Sequence, residues 1–287
     1  MELAKSKTST FCLKKARVER SFNTLMYNLL QNTKKPVNRK KSKMKTVGII
    51  GCGAIGTLIA EAAARRLVMC DELILYDYDL EKAEKLRSLL DFPTVVVLSL
   101  NEMLKLRPTV IVEAASQQAA REYVSRIRAE DIDLIVMSTG ALLGLNLRKG
   151  KIHVPSGAIG GLDALSTAAL AGINEVILTS RKNPRLFNMT NDKPKIVYEG
   201  NAEEASKLFP REMNVAATLA LTVQPAKVRV RVVSDPEVHR NTHEIQVNWR
   251  FGDMLLRFAN DQHPENPHTS ALAAWSAIRL LQTLLEK

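Results

Sequence analysis

The hexapeptide Gly51-Cys52-Gly53-Ala54-Ile55-Gly56 fits G-x-G-x-x-G, and Asp77 follows 21 residues after its last glycine. Alone the pattern is weak. Here it follows the apolar, β-branched run TVGII and opens the Ala/Leu-rich segment TLIAEAAARRL, while Asp77 ends a second apolar run, ELILYD. That is the context in which the motif binds a dinucleotide. Gly51 permits the tight turn, Gly53 lets the backbone approach a pyrophosphate, and Gly56 lets the helix pack closely on the strand. The helix N-terminus, beginning at Ala54 and Ile55, offers its N–H groups to the phosphates. Asp77 is placed to accept hydrogen bonds from a ribose 2′-OH and would repel a 2′-phosphate, so NAD is favoured, with NADP as the second choice.

Four further groups carry chemistry of less specific kinds. Ser156-Gly157-Ala158-Ile159-Gly160-Gly161 holds three glycines in five positions, and such a stretch leaves backbone N–H groups open to a carboxylate or lets a nicotinamide ring approach; an interdomain linker would look the same. Arg181-Lys182, after the run EVILTS, could hold a dicarboxylate, Arg bidentately, or could be solvated surface. Asn214 stands at or near a helix start in EMNVAATLAL, where its amide could cap the helix or bond a nicotinamide carboxamide. His243, one of five histidines, heads the alternating run THEIQVNWRF. It is either a packed structural residue or an acid/base group that works near neutral pH. His153 precedes the glycine cluster and could line a site, whereas His239, His263 and His268 fall in Pro-containing, loop-like stretches.

Thiol and metal chemistry are not indicated. Cys52 would be covered by a dinucleotide, none of the three cysteines lies beyond Cys70, and their spacing matches no metal site. An odd, sparse set of cysteines points to a reducing, cytoplasmic setting.

The segments that must position these groups alternate. Strand-like runs TVGII, ELILYD, TVVVLSL, TVIVEAAS and DLIVMSTG are separated by helical TLIAEAAARRL, DLEKAEKLRSLL, NEMLKLR and QQAAREYVSRIRAE, with Asp79 as a candidate N-cap. Short joints between alternating elements predict a Rossmann-type, doubly wound parallel sheet over residues 45–155. HVPSGAIGGLDALSTAALAG is rich in small residues. After it come EVILTSRK, KIVYEG, KVRVRVVSD, THEIQVNWRF and DMLLRFAN, strands of a second α+β domain over 156–262 with a mixed or antiparallel sheet. The Gly-Asp pair of RFGDM predicts a hairpin turn. SALAAWSAIRLLQTLLEK, within 263–287, is a long helix expected to pack back on the first domain, with Asn266, Thr269 and Ser270 as start signals.

The net charge of +11 resembles a nucleic-acid signal until it is located. Residues 1–45 hold 13 Lys and Arg against two acids, which leaves 28 basic and 28 acidic residues in the rest. The body is neutral, so a nucleic-acid partner is not expected. Residues 1–44 are predicted to be a basic, disordered extension, or to lie upstream of a true start at Met44. No apolar run approaches the ~18–20 residues that span a bilayer.

Taken together, VGIIGCGAIG, VEAASQQA, STGAL, PSGAIGGLDAL, TSRK, FPREMNVAATLAL, NTHEIQV and ENPHTS resemble, in order, the L-aspartate dehydrogenase family, from about residue 45 onward. The resemblance implies NAD(P)-dependent oxidation of L-aspartate to iminoaspartate, which hydrolyses to oxaloacetate and ammonia, with a role in supplying NAD biosynthesis. It implies a homodimer built on the second sheet. It places the catalytic histidine at His243 and cofactor contacts at Ala158 and Asn214. Ser116, in VEAAS, joins the glycine loop and Asp77 in the expected cofactor set. Ser156, Gly160, Arg181, Lys182 and Asn241 are expected to hold the two carboxylates of the substrate. Two features depart from the family: the basic extension, and the link LGLNLRKGKIHVP, too short for the expected helix and strand and predicted to be a turn with a short strand. A reductase for another amino or keto dicarboxylate, and a non-catalytic dinucleotide-binding sensor or scaffold, are the competing readings.

Overall fold

A computed structural model describes residues 44–145, 151–210, 213–263 and 266–286. The basic extension and part of the shortened link, residues 146–150, lie outside the described residues.

The alternating first half folds as its pattern predicts. Strands β1 (Thr46–Ile50), β2 (Glu72–Tyr76), β3 (Thr94–Val96), β4 (Val110–Glu113), β5 (Asp133–Val136) and β6 (Ile152–His153) form a six-stranded sheet in the order 3-2-1-4-5-6. Every pairing in it is parallel. This is the doubly wound dinucleotide-binding order, whose ligand crevice opens at the carboxyl ends of the strands, where the order reverses between β1 and β4. The crossovers are α1 (Ala54–Ala64), α2 (Leu80–Ser88), α3 (Leu100–Lys105) and α4 (Gln117–Ala129). β3 is shorter than the run TVVVLSL suggested, because Ser99 leaves it to cap α3. Its hydroxyl accepts from Glu102 N (3.2 Å) and the Glu102 carboxylate accepts from Leu98 N (2.9 Å).

Both faces of this sheet are covered. Val47, Ile49, Leu73, Leu75 and Val112 pack with Ile59 and Ala63 of α1 and with Ala277, Ile278 and Leu281 of α8 (Ala271–Leu285). Ile50, Ile74, Ile111 and Leu134 pack with Met103, Val124 and Ile127 on the other face. The long helix α8 therefore completes the core of the first sheet, although some 120 residues of a different sheet precede it.

After β5 the chain makes a 3₁₀ turn, Thr139–Leu142, and returns at β6. The second sheet consists of β7 (Ile173–Lys182), β8 (Lys195–Asn201), β9 (Val228–Ser234), β10 (Asn241–Trp249) and β11 (Gly252–Asn260), in the order 11-10-7-9-8. It is mixed: β7 and β9 run parallel, the other pairs antiparallel. Helices α5 (Leu162–Ala171), α6 (Ala202–Leu208) and α7 (Asn214–Thr222) cover one face, with Leu165, Ala205, Ala216 and Leu219 packed on Val176, Leu178, Val230 and Ile245. α5 lies in the small-residue stretch, where Ala, Ser and Thr mask an apolar period. In the β10–β11 hairpin Trp249 pairs with Gly252. The two-residue turn is thus Arg250-Phe251, immediately before the Gly252-Asp253 pair that signalled it. A two-stranded ribbon, β12 (Gln262–His263) with β13 (Asn266–Ser270), leads into α8. No helix among the described residues is long and apolar enough to cross a membrane.

Candidate active site

The glycine loop leaves β1 at the crevice. Gly51 has φ +96, and a Cβ there would lie 2.7 Å from the Ala114 carbonyl, so only glycine fits where the β1 and β4 loops touch. A Cβ on Gly56 would fall 1.9 Å from the Gly51 carbonyl, which seats α1 against the turn. Gly53 meets nothing within 4 Å and lies open to the cleft. Asp77, beyond β2, ties the glycine loop to its own turn: Oδ2 accepts from Cys52 N (2.7 Å) and Oδ1 from Asp79 N (2.9 Å). It therefore braces the loop from the end of β2. Cys52 is buried, and burial, followed by the Asp77 charge, pushes its thiol up to about 12, so it stays protonated and inert.

A cleft of about 880 Å³ runs from Gly53, Ala54 and Ile55 past Ser116 to Asn214, with Lys82, Arg121 and Lys207 bringing positive charge to it. Open Gly53, the seated helix N-terminus and these cations fit the pyrophosphate of a dinucleotide. Ser116 caps α4 through Ala119 N (3.1 Å) while bordering the cleft.

Two polar residues that sequence reasoning missed set this wall. Glu113, 1% exposed at the end of β4, accepts from Ala115 N (2.9 Å), Ser138 N (3.0 Å) and Ser138 Oγ (2.9 Å). It ties the loop after β4 to the end of β5; burial raises its pKa and these donors oppose the rise. Gln117 donates from Nε2 to the carbonyls of Ser206 (3.3 Å) and Pro210 (3.1 Å) and to Asn214 Oδ1 (3.4 Å). Gly140 N also donates to Asn214 Oδ1 (3.2 Å), and Thr139 Oγ1 donates to the Asn214 carbonyl (2.7 Å). Asn214 is the first residue of α7 rather than its cap, which is Met213. Oδ1 thus accepts from two donors, and Asn214 borders the cleft.

Asn214, Ile55 and Met137 border both this cleft and a second pocket that contains His243. His243 pairs in register with Ser180 across β10 and β7, and its Nδ1 lies 2.9 Å from Ser180 Oγ. Strand alternation puts Lys182 and Asn241 on the same face. All four are buried, Lys182 at 1% exposure, and Lys182, Asn241 and His243 line the pocket. Burial, followed by the nearby Lys182 charge, lowers the His243 pKa to about 3, so the imidazole is neutral at physiological pH. Ser180 was legible as the residue two before Lys182 in TSRK, on the same face.

Three expected substrate contacts lie away from the lining of this pocket. Arg181 points to the other face of the sheet, where it pairs with Asp235 (3.2 Å), because adjacent strand residues alternate. Gly160 lies against the Phe258 ring, 3.3 Å from where its Cβ would be, and does not border the pocket. Nor does Ser156 border it; Gly157 and Ala158 do. The glycine stretch is also less open than its composition suggested. Gly157 N donates to Ser276 Oγ (3.0 Å), and Asn260 Nδ2 donates to the Ala158 carbonyl (2.9 Å), so it is pinned between β11 and α8. His153 is absorbed by Asp133 (2.6 Å) beside β6.

A dinucleotide cleft that opens onto a buried histidine and lysine on a second sheet defines a two-domain, NAD(P)-dependent dehydrogenase. Residues 51–151 match the family model for the NAD-binding domain of homoserine dehydrogenase, and residues 163–284 that for the aspartate dehydrogenase C-terminal domain. The L-aspartate dehydrogenase of Methanothermobacter thermautotrophicus is 42% identical over 250 residues, covering 84% of this chain and 96% of that protein; that of Archaeoglobus fulgidus is 40% identical, covering 84% and 98%. The crystal structure of aspartate dehydrogenase from Thermotoga maritima superposes with a TM-score of 0.68 at 29% identity, covering 85% of this chain and 97% of that one. The chain belongs to the L-aspartate dehydrogenase family.

Proposed function

We propose that the protein oxidises L-aspartate to iminoaspartate with NAD(P), the imine then hydrolysing to oxaloacetate and ammonia, and that it catalyses the reverse amination. The observation that carries this reading is the buried pair Lys182 and His243, the latter backed by Ser180, lining a pocket that shares Asn214 with the dinucleotide cleft. A nicotinamide bound at that junction supplies the hydride acceptor or donor. The protein supplies the rest. Lys182 attracts a carboxylate, and Asn214 borders the junction, where its amide can donate to the nicotinamide carboxamide. With Ser180 accepting from Nδ1–H, His243 offers a free Nε2 lone pair to the substrate amine, which must lose a proton before its Cα can be oxidised. In the free enzyme that nitrogen is weakly basic. A dicarboxylate beside Lys182 offsets the lysine charge and raises the basicity of the imidazole as substrate binds.

Asp77 supports NAD over NADP, since its charge opposes a 2′-phosphate, and the neutral body gives no support to a nucleic-acid partner. A homodimer through the second sheet is supported by Ile196 on β8 and Leu255 on β11, 55% and 66% exposed. The buried free thiols Cys52 and Cys70 suit a cytoplasmic setting. Supply of iminoaspartate to NAD biosynthesis remains the expected role on the family resemblance.

The test is NADH oxidation with oxaloacetate and ammonia, for the wild type and His243→Ala, with NADPH in parallel. Ammonia-dependent turnover that collapses in the variant supports the reading. NADH binding without turnover favours a sensor instead.

A further inference from the structure

With Arg181 on the far face, Lys182 is the fixed cation among the described residues that line the pocket, while the substrate proposed above carries two carboxylates. A second seat is needed. Ser270 borders the same pocket, is 4% exposed, and its Oγ has no hydrogen-bond partner among the described residues. A buried hydroxyl without a partner is costly and calls for an explanation. Ser270 is also the N-cap of the 15-residue α8, yet its side chain makes no capping bond, although serine at this position ordinarily accepts from the second or third amide of the helix. Its hydroxyl is therefore uncommitted at the end of a helix. Ala271 N donates to the Asp261 carbonyl (3.3 Å), and the next amides, of Leu272 and Ala273, have no acceptor within the helix. Ala273 borders the pocket as well.

We propose that Ser270 and the first turn of α8 form a carboxylate subsite in the pocket lined by Lys182, so that one substrate carboxylate is held by the lysine and the other by a helix N-terminus. The seryl O–H donates to the carboxylate, the open amides add donors, and the helix end adds about half a positive charge. The arrangement selects a dicarboxylate over a monocarboxylate of the same length. It rests on the dicarboxylate reading given above.

The test is calorimetric titration of the full chain, saturated with NADH, with succinate and with butyrate, four-carbon acids with two carboxylates and one. The wild type is expected to prefer succinate by about tenfold or more, in line with a charge-assisted hydrogen bond. Ser270→Ala is expected to lower succinate affinity about tenfold while butyrate changes by less than threefold. Ser270→Asp, with its thermal midpoint and NADH affinity read as the controls for folding, sets a negative charge in the seat and is expected to abolish succinate binding. NADH affinity stays within threefold in both variants. Unchanged succinate affinity in Ser270→Ala together with retained binding in Ser270→Asp overturns the proposal. So does a tenfold loss of NADH affinity with succinate unchanged, which would assign the hydroxyl to the cofactor. A wild type that binds both acids equally overturns the dicarboxylate reading itself and the subsite with it; that failure appears in the wild type, whereas failure of the subsite alone appears only in the variants.

Discussion

His243 on β10 and Ser180 on β7 are register partners, with the ring Nδ1 2.9 Å from the seryl Oγ. A hydroxyl can accept from Nδ1–H whether the ring is neutral or protonated, so one geometry serves both halves of a proton-transfer cycle. It brings no negative charge, unlike the carboxylate that often backs a catalytic histidine, and so does nothing to offset the lowering of the pKa to about 3 by burial and Lys182. His243→Ala is expected to reduce kcat by about 10²–10⁴ with NADH affinity unchanged. Ser180→Ala should reduce kcat by about tenfold, again without a change in NADH affinity, as read by steady-state rates and NADH titration.

The same histidine makes the fold acid-sensitive. Its folded pKa lies below the unfolded value near 6.5, so between those values the unfolded chain binds the extra proton and stability is lost as pH falls through that window. Between pH 7 and pH 5 the loss is on the order of 2 kcal/mol. Thermal melts at the two pH values should show a smaller drop for His243→Asn than for the wild type.

Neighbouring cations on opposite faces should behave differently. Lys182→Ala is expected to raise the KM for oxaloacetate about 10–100-fold, the scale of a lost charged hydrogen bond. Arg181→Ala removes a partly exposed pair with Asp235 and should leave KM within about twofold, at a stability cost of up to about 1 kcal/mol. Equal effects on KM would return Arg181 to the site.

Gln117 and Gly140 jointly orient Asn214. A Cβ on Gly140 would fall 2.2 Å from Gln117 Nε2, a group already held by three acceptors. Gly140→Ala must therefore displace the glutamine, and is expected to reproduce Gln117→Leu: a rise of about tenfold in the KM for NADH with the KM for oxaloacetate nearly unchanged. If the double variant is no worse than either single one, the two act through one contact.

The elements that repeat a strong local pattern were legible. The βα alternation specified a doubly wound parallel sheet, though not its strand order, and Gly51 and Gly56 make the close approaches that the motif requires. His243, Lys182 and Asn241 could be read as one face once β7 and β10 were known to pair, but that pairing joins residues 63 positions apart and has no local signature. Arg181 and Lys182 face opposite ways because adjacency in sequence is opposition in a strand. Gln117 and Glu113 carried no signal, since an uncharged amide at a helix start and a single acid at a strand end are common and acquire meaning only from what folds over them. Ser270 read as a helix cap; its role depends on the hydroxyl not being used as one.

The last helix has a bearing on synthesis. α8 supplies Ala277, Ile278 and Leu281 to the core beneath β1 and β2, Lys45 Nζ reaches the carbonyl of Leu285 near its far end, and Ser276 pins the Gly157 turn. A nascent chain that has emerged only through β6 exposes that apolar face and cannot close it. The nucleotide-binding half therefore cannot mature on the ribosome ahead of the rest, as early domains often do. Chains stalled or clipped before α8 should be recognised as unfolded rather than persist as cofactor-binding fragments, and a C-terminal fusion must leave this helix free to dock before any of the enzyme is competent.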